Sequence, residues 1–369
     1  MGFGCYDAYK EYDSIWFSAI DHNGLYKMNL NNNELIRLAE FPNEDNIFEL
    51  HRRIIFHNRL LFFIPYKGKG ISAYHLDTGK MDYYIPDGKE IHASDAFLDG
   101  EIIWIIPRNL NQPLYEFNVE QGTFYKHEEW NSNILKIPGI NENNILSLTS
   151  TCFFNKTMTT VLYNTPYVIK TDIRAINDME IYCLSDEYPL RGIAYDDGSY
   201  WMTLARGGSV LHVDFINKDI KVIDLDTCDR TIFMNLIVDN DAIIVLPCKD
   251  SYIYKFYKNG NSSYKYITDN KPNMAKMDLP LYMGWIKDGN DLFLLPSAGD
   301  SIEKYNSENE YKADFNISEV ICKSNIFYET DDRSLSDFVD IVKYYKNLIR
   351  FDEIKNTYGR LIWESTKDL

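Results

Sequence analysis

The chain has 369 residues, of which 45% are hydrophobic and 15% aromatic, and its net charge is −17. This length allows a sizeable buried core, and the aromatic share favours sheet over helix. The acidic excess argues against nucleic acid and anionic membranes, because both select a basic protein surface. We therefore expect neither a nucleic-acid nor a membrane partner.

The sequence shows no targeting signal at its N-terminus. That region has neither a basic stretch nor an apolar core, so we expect no signal peptide, and no apolar run is long enough for a transmembrane helix. The six cysteines are scattered without a CxxC pair, which favours reduced thiols. These features predict a cytoplasmic location.

The stretch from residue 52 to 88 is typical of four short antiparallel strands. Its first two apolar runs flank a His57-Asn58 turn, and Pro65 ends the second run because proline donates no hydrogen bond to a neighbouring strand. A loop with two glycines and a turn at 77–80 precede the third and fourth runs. Turns at this spacing indicate one antiparallel sheet. We predict strands at 53–56, 59–64, 71–76 and 81–85.

The second strand of this unit recurs along the chain at intervals of 41 to 56 residues. Each copy precedes a third strand with a Tyr/Leu-x-hydrophobic-Asp/Asn pattern. Seven four-stranded units with this period predict an all-β fold, a seven-bladed β-propeller in which each blade packs against its neighbours. Six or eight blades are the alternatives. The recurring segments are WFSAI (16–20), FFIP (62–65), WIIP (104–107), TVLY (160–163), WMTL (201–204), IVLP (244–247) and FLLP (293–296).

The two ends of the chain differ from the repeats. Residues 5–12 are polar and alternate poorly, so we expect the first blade to borrow a strand from 320–328 or 360–363. The amphipathic pattern from residue 334 predicts a C-terminal helix at 334–347, which either packs on the propeller or binds a partner. The Asn-rich residues 131–144 are predicted to form a loop between blades. No low-complexity linker occurs, so residues 1–369 are predicted to form a single domain.

The repeat motif resembles that of Kelch-like, YWTD-like and quinoprotein-like propellers of bacteria, and the resemblance covers residues 16–315. The diglycine of Kelch repeats and the Trp-Asp pair of WD40 repeats are lacking. The chain is most similar to uncharacterised intracellular propellers of low-GC gut bacteria. This resemblance implies the fold and no particular reaction.

Basic residues are over-represented in the loops between second and third strands, which in propellers lie on the ligand-carrying face. These loops hold five basic residues and three acidic ones, although acidic residues outnumber basic ones in the whole chain. The bias predicts an anionic ligand on this face, or else scattered solvated charges. The basic loop residues are Lys67, Lys69, Arg108, Arg206 and Lys249.

Arg53 and Arg191 lie at the starts of predicted first strands, which line the central channel of a propeller. An arginine there can bind a carboxylate or phosphate through its forked donors, or it can tie neighbouring blades together through an acidic side chain. His92 has the matching position in the third unit. Trp16, Trp104, Trp201 and Trp285 lie in strands and are predicted to pack between blades.

The sequence carries no catalytic, metal or cofactor signature. The seven histidines form no HxH or HxxxH pair, and GxSxG, Walker and Rossmann motifs are lacking. We therefore expect no metal and no cofactor. The function predicted is a non-enzymatic binding or scaffold protein that recognises a protein or saccharide partner through its loop face. The alternative is an enzyme acting on a carbohydrate or anionic small molecule at the channel mouth, with Arg53, Arg191 and His92 as candidates.

Overall fold

The structure is a computed structural model that describes residues 4–138, 140, 148–225, 233–247, 252–260, 263–267, 281–297, 301–306 and 312–316. These residues all belong to one compact unit, Met1–Val320. They form seven four-stranded antiparallel sheets, each built from four consecutive strands. The first strands of successive sheets contact one another, and the first strand of the last sheet contacts that of the first sheet. The predicted seven-bladed β-propeller is confirmed.

Each blade is one of these sheets, numbered in chain order. Blade 1 contains β1 (Ala8–Glu11), β2 (Ser14–Ser18), β3 (Leu25–Asn29) and β4 (Glu34–Ala39), and blade 2 contains β5 (His51–His57), β6 (Leu60–Pro65), β7 (Ile71–His75) and β8 (Met81–Tyr84). Blade 3 contains β9 (Ala93–Asp99), β10 (Ile102–Pro107), β11 (Leu114–Asn118) and β12 (Thr123–His127), and blade 4 contains β13 (Leu148–Phe154), β14 (Thr157–Leu162), β15 (Tyr167–Asp172) and β16 (Met179–Cys183). Blade 5 contains β17 (Leu190–Asp196), β18 (Ser199–Leu204), β19 (Ser209–Asp214) and β20 (Asp219–Asp224). Blade 6 contains β21 (Phe233–Val238), β22 (Ala242–Pro247), β23 (Tyr252–Tyr257) and β24 (Ser263–Ile267), and blade 7 contains β25 (Tyr282–Asp288), β26 (Asp291–Pro296), β27 (Ser301–Asn306) and β28 (Lys312–Asn316).

The core lies between the blades, because the second strands are apolar on both faces. Five of the six residues of β6, β10 and β26 are buried. Trp104 packs with residues of blade 4, Trp201 with those of blade 6, and Trp16 with those of blade 2. Trp285 is half-buried against blade 6. The tryptophans therefore stabilise blade-to-blade packing, as predicted from the sequence.

Two-residue turns join several first and second strands. Asn58 and Arg59 both have positive φ, and Asn155 and Lys156 repeat the same pair of values. Positive φ at both central positions defines the type I′ turn, whose twist matches that of paired strands. The turn in blade 2 therefore lies one residue later than the predicted His57-Asn58, because His57 still pairs with Leu60.

The first blade supplies its own inner strand, so the predicted loan of a C-terminal strand to blade 1 is wrong. β1 pairs in antiparallel register with β2, from Ala8 opposite Phe17 to Glu11 opposite Ser14. The strand escaped detection because three of its four residues are only half-buried, and it therefore lacks an apolar alternation. Each of the seven blades is built from four strands that are consecutive among the described residues.

Closure of the ring depends on the segment that precedes β1. The Cys5 amide donates a hydrogen bond to the Pro296 carbonyl in blade 7 at 3.0 Å, and the Ile20 amide donates to the Gly4 carbonyl at 2.8 Å. The Lys10 ammonium pairs with Asp288 at 2.6 Å. The N-terminal segment thus contacts the last blade through backbone and side chain.

Between blades 3 and 4, a short helix overlaps the first residues of the loop predicted at 131–144. Helix α1 spans Glu128–Ile134, and its buried Trp130 donates a hydrogen bond from Nε1 to the Thr171 hydroxyl at 3.1 Å. A short 3-10 turn, Pro86–Gly88, follows blade 2. The predicted helix at 334–347 and the predicted strands at 320–328 and 360–363 lie outside the described residues.

The described part of the chain also bears on membrane insertion and thiol state. None of its helices is long and apolar enough to cross a membrane. Cys5, Cys152 and Cys183 are free thiols. The reduced state predicted for the six cysteines stays a prediction.

The hairpin turn of blade 2 gives a stability prediction. Gly79 has φ +70° and its amide donates to the His75 carbonyl. We expect Gly79→Ala to lower the free energy of unfolding by about 1–2 kcal/mol, because an L side chain is strained in this region. Urea unfolding measures the loss. Thr78→Ala, in the same turn, is the control, and equal stability of the two variants would contradict the turn assignment.

Candidate binding site at the channel mouth

A β-bulge interrupts the first strand in six of the seven blades, at the end where the second strand finishes. In blade 2, His51 pairs with Pro65 and Arg53 with Ile64, so that Arg52 is skipped. A bulge leaves its extra residue unpaired and redirects the side chain, and bulges are common beside functional sites. The skipped residues are Arg52, Ser94, Thr149, Arg191, Met234 and Met283.

Hydrogen bonds link the bulges of neighbouring blades. Arg52 Nε donates to the Ser94 carbonyl at 3.0 Å, which joins blade 2 to blade 3. Thr149 Oγ1 donates to the Arg191 carbonyl at 2.6 Å, which joins blade 4 to blade 5. Hydrogen bonds therefore connect the bulges at the mouth of the channel. They hold in place the backbone from which the bulge side chains project.

Arg53 takes part in such a link between blades. Its Nε and Nη2 donate to Oδ1 and Oδ2 of Asp95 at 2.5 and 3.3 Å, and the same carboxylate accepts the Thr151 amide at 3.2 Å. The side chain of Asp95 is 7% exposed. The Asp95 carboxylate raises the pKa of Arg53 above its usual value, so the guanidinium stays protonated. Arg53 therefore has the second of its two predicted roles: through Asp95 it links blades 2, 3 and 4.

Two tyrosines and two arginines form what we call the mouth cluster: Tyr6, Arg52, Tyr66 and Arg108. The Arg52 guanidinium carbon lies 4.7 Å from the centroid of the Tyr6 ring and 5.8 Å from that of Tyr66. The Arg108 guanidinium carbon lies 4.2 Å from the Tyr66 centroid, and the two rings are 5.4 Å apart. Arg52, Tyr66 and Arg108 are half-buried, whereas Tyr6 is 5% exposed. Tyr66 is thus a platform shared by two cations.

The two arginines of the mouth cluster have no acidic partner within the described residues. Neither guanidinium lies within 4.0 Å of a carboxylate there. Stacking on an aromatic ring stabilises a guanidinium without neutralising it. The mouth cluster therefore presents uncompensated positive charge in an acidic protein.

Glu49 borders the mouth cluster in a strained backbone conformation. It has φ +63° and is 8% exposed. Its carboxylate accepts a hydrogen bond from the Tyr6 hydroxyl and pairs with Lys67 Nζ at 2.6 Å. Burial, together with the Glu49 charge, raises the pKa of Tyr6 well above its usual value, so the phenol remains a donor. A non-glycine residue held at positive φ is costly and is often found at functional sites.

The other predicted site residues lie around this cluster or apart from it. Lys67 and Arg108 are at the mouth cluster, as the loop-face prediction requires. Arg191 lies on blade 5 with its guanidinium carbon 5.7 Å from the Tyr163 ring centroid. His92 donates its backbone amide to Gln112 Oε1 at 2.9 Å and has its Nε2 3.6 Å from Glu90. Arg206 is exposed. Lys249 lies outside the described residues.

Sequence reasoning missed Arg52, Tyr6 and Glu49. Arg191 was matched with Arg53, but the bulge makes Arg52 its counterpart: Leu190 pairs with Leu204 as His51 pairs with Pro65. Counting back from the end of the second strand, with one residue skipped, would have found this equivalence. The sequence carries no signal for Tyr6, which reaches the site only through closure of the ring.

The histidines do not gather at the mouth cluster. His51 is buried, with Nδ1 2.8 Å from the Ser18 hydroxyl, and burial lowers its pKa to about 3, so it is neutral. Among the residues that the structure describes, no three His, Cys, Asp or Glu side chains are placed to hold a metal ion. Five histidines contact polar neighbours of their own blade: His22, His57, His75, His127 and His212.

Comparison with known proteins defines the fold class and nothing finer. No protein-family model and no curated protein matches the chain. Among solved structures, a streptogramin B lyase matches with a TM-score of 0.63 at 13% identity over 82% of this chain and 93% of its own. YCF48 from Cyanidioschyzon merolae matches with a TM-score of 0.63 at 12% identity over 84% and 97%. YCF48 bound to D1 peptide matches with a TM-score of 0.59 at 9% identity over 81% and 90%. The chain is a β-propeller scaffold; at these identities the likeness shows the fold alone.

Proposed function

We propose that this chain is a non-enzymatic binding propeller that recognises a protein or saccharide partner through the face bearing the mouth cluster. The observation that carries the proposal is the tilted ring pair Tyr6–Tyr66 with Arg52 and Arg108 against it. Tyrosine and arginine dominate the energetically important residues of protein interfaces, because they offer large contact area at low entropic cost. The cytoplasmic location predicted from the sequence stays a prediction.

A protein partner has support from one of the fold neighbours. The described propeller matches the fold of YCF48, and one YCF48 structure is bound to D1 peptide. This match supports a peptide as the partner of a scaffold with this fold. The linked bulges hold the backbone beneath Arg52 in place before any partner arrives, and such preorganisation lowers the entropic cost of binding.

An enzyme acting at the channel mouth is the second candidate, supported by the lyase among the neighbours and by the Tyr6–Glu49 hydrogen bond. A buried phenol beside a carboxylate and an arginine is an arrangement that proton transfer could use. One observation argues against the enzyme hypothesis. The Glu49 carboxylate already accepts a hydrogen bond from Tyr6 and pairs with Lys67, so both of its partners belong to the protein itself. Arg53, one of the residues predicted for catalysis, is committed to Asp95.

The proposal predicts the effect of removing the shared platform. We expect Tyr66→Ala to weaken binding to a ligand found on peptide and glycan arrays by about 30-fold, the size of a typical hot-spot loss. Phe154→Ala is the matched control, because Phe154 is 52% exposed and lies at the opposite end of a first strand. Affinity is measured by calorimetry on folded protein. Absence of any array ligand, or an equal loss in both variants, would overturn the proposal.

A further inference from the structure

We infer that Arg52 and Arg108 form a carboxylate-binding site, and that the partner is a peptide segment that places an Asp or Glu side chain over Tyr66. This inference rests on the proposed binding function and gives it a ligand chemistry. It follows from how arginines are used elsewhere in the molecule, from the geometry of the mouth cluster, and from the charge around it.

At least four of the eight arginines in the described residues have carboxylate partners. Acidic residues number 55 against 38 basic ones, so a partner is rarely far from a guanidinium. Arg52 and Arg108 differ, since they contact aromatic rings and no carboxylate among the described residues. Charges left uncompensated in such surroundings suit an anion supplied from outside. The paired arginines are Arg37 with Glu40, Arg53 with Asp95, Arg59 with Glu11 and Asp77, and Arg174 with Asp172.

The geometry orients both guanidinium groups before a ligand binds. Arg52 is anchored through Nε to the Ser94 carbonyl, which leaves its two terminal nitrogens as donors. Arg108 stacks on Tyr66 at 4.2 Å, and no described side chain accepts its guanidinium donors in a hydrogen bond. Planar guanidinium donors match a carboxylate, and stacking removes water from one face of each cation. Both guanidinium carbons lie within 6 Å of the Tyr66 centroid, at 5.8 Å for Arg52 and 4.2 Å for Arg108, so an acidic side chain beside this ring would be near both donors.

The charge around the cluster favours a singly charged carboxylate over a phosphate dianion. The Glu49 carboxylate accepts a hydrogen bond from Tyr6 of the mouth cluster, and the net charge of the whole chain is −17. Both repel a dianion more strongly than a monoanion. A neutral saccharide is recognised largely through acceptors for its hydroxyls, whereas the mouth cluster offers mainly donors, and the nearby Glu49 carboxylate is already occupied.

The test is a selection of random peptides displayed on phage against the full chain. We expect the enriched peptides to share an acidic residue, and a synthetic copy with Glu→Gln or Asp→Asn at that position to bind at least 30-fold more weakly. The Arg52→Ala/Arg108→Ala variant is expected to bind about 100-fold more weakly, because each lost charge-assisted contact costs roughly tenfold. Arg52→Lys/Arg108→Lys keeps the charge but not the fork, and we expect about a tenfold loss.

The control is Arg174→Ala/Lys221→Ala, which removes two positive charges from exposed positions outside the mouth cluster. It should bind as wild type does. Enriched peptides that need Tyr66 but share no acidic residue would overturn the carboxylate site and leave the binding function intact. Tighter binding of a phosphoserine copy than of the carboxylate peptide would also overturn it. Failure to enrich any peptide, with no glycan bound either, would overturn both the site and the function.

Discussion

Asp95→Ala is expected to lower the free energy of unfolding by about 2–3 kcal/mol, because it removes the buried carboxylate that pairs with Arg53, and the nearby Asp7 offsets the remaining charge only in part. Asp95 accepts hydrogen bonds from the Arg53 guanidinium and from the amides of Ala96 and Thr151. One carboxylate thereby joins three successive blades, and its loss affects two blade interfaces at once. Urea unfolding, with the slope against denaturant checked for constancy, measures the change.

An ion pair with an exposed carboxylate supplies the control for Asp95→Ala. Asp288 is 56% exposed and pairs at 2.6 Å with Lys10, whose side chain is 13% exposed. Because water can reach the carboxylate, the pair contributes about 1 kcal/mol, and Asp288→Ala should lose no more than that. If Asp95→Ala lost no more than Asp288→Ala, the Arg53–Asp95 pair would not be holding the blades together.

Gly284→Val is expected to destabilise the protein by about 3 kcal/mol or more, through failure of the ring to close. A Cβ atom at Gly284 would lie 2.2 Å from the Tyr6 carbonyl oxygen, and this neighbour is backbone. The same register position carries a side chain in four of the other five blades with a bulge, namely Arg53, Asp95, Ser150 and Asn235, and a glycine, Gly192, in blade 5. Glycine is therefore required in blade 7 because the N-terminal segment passes there, and not because of the strand itself.

Ser150→Val tests this explanation at the equivalent position of blade 4. Ser150 Oγ contacts the Ile193 amide and carbonyl at 3.3 and 3.5 Å, so the substitution costs about 1 kcal/mol in lost hydrogen bonding. Thermal and urea unfolding of the two variants give the comparison. Equal losses would mean that the position is intolerant in every blade and that the contact with Tyr6 has no special role.

The fold could be predicted because its signal is repeated and local. Each blade has an apolar second strand, and counting the copies of this strand along the sequence gives the number of blades. β1 was the exception, since Lys10 and Glu11 give it the composition of a loop although its backbone pairs with β2. The C-terminal region offered two plausible strands, and sequence patterns do not show which terminus completes a blade.

The candidate site was predicted only in part, for a physical reason that differs from residue to residue. Lys67 and Arg108 could be found because they lie in loops whose face is fixed by the architecture. The sequence alone does not distinguish the role of Arg53 from that of Arg52, because it does not show the bulge. The bulge skips Arg52, so that Arg52 contacts Tyr66 while Arg53 pairs with Asp95. Tyr6 is 60 residues away from Tyr66 along the chain, so only tertiary structure brings the two rings together.

The route of the N-terminal segment has a consequence for synthesis on the ribosome. The Cys5 amide donates a hydrogen bond to the carbonyl of Pro296, at the end of the second strand of blade 7, and the next residue is Tyr6 of the mouth cluster. The beginning of the polypeptide must therefore wait, with its inner strand unsupported on one side, until nearly 300 further residues have been translated. A nascent chain that has not yet reached blade 7 lacks the neighbour that positions this tyrosine. The proposed recognition surface can therefore assemble only after the second strand of blade 7 has been translated.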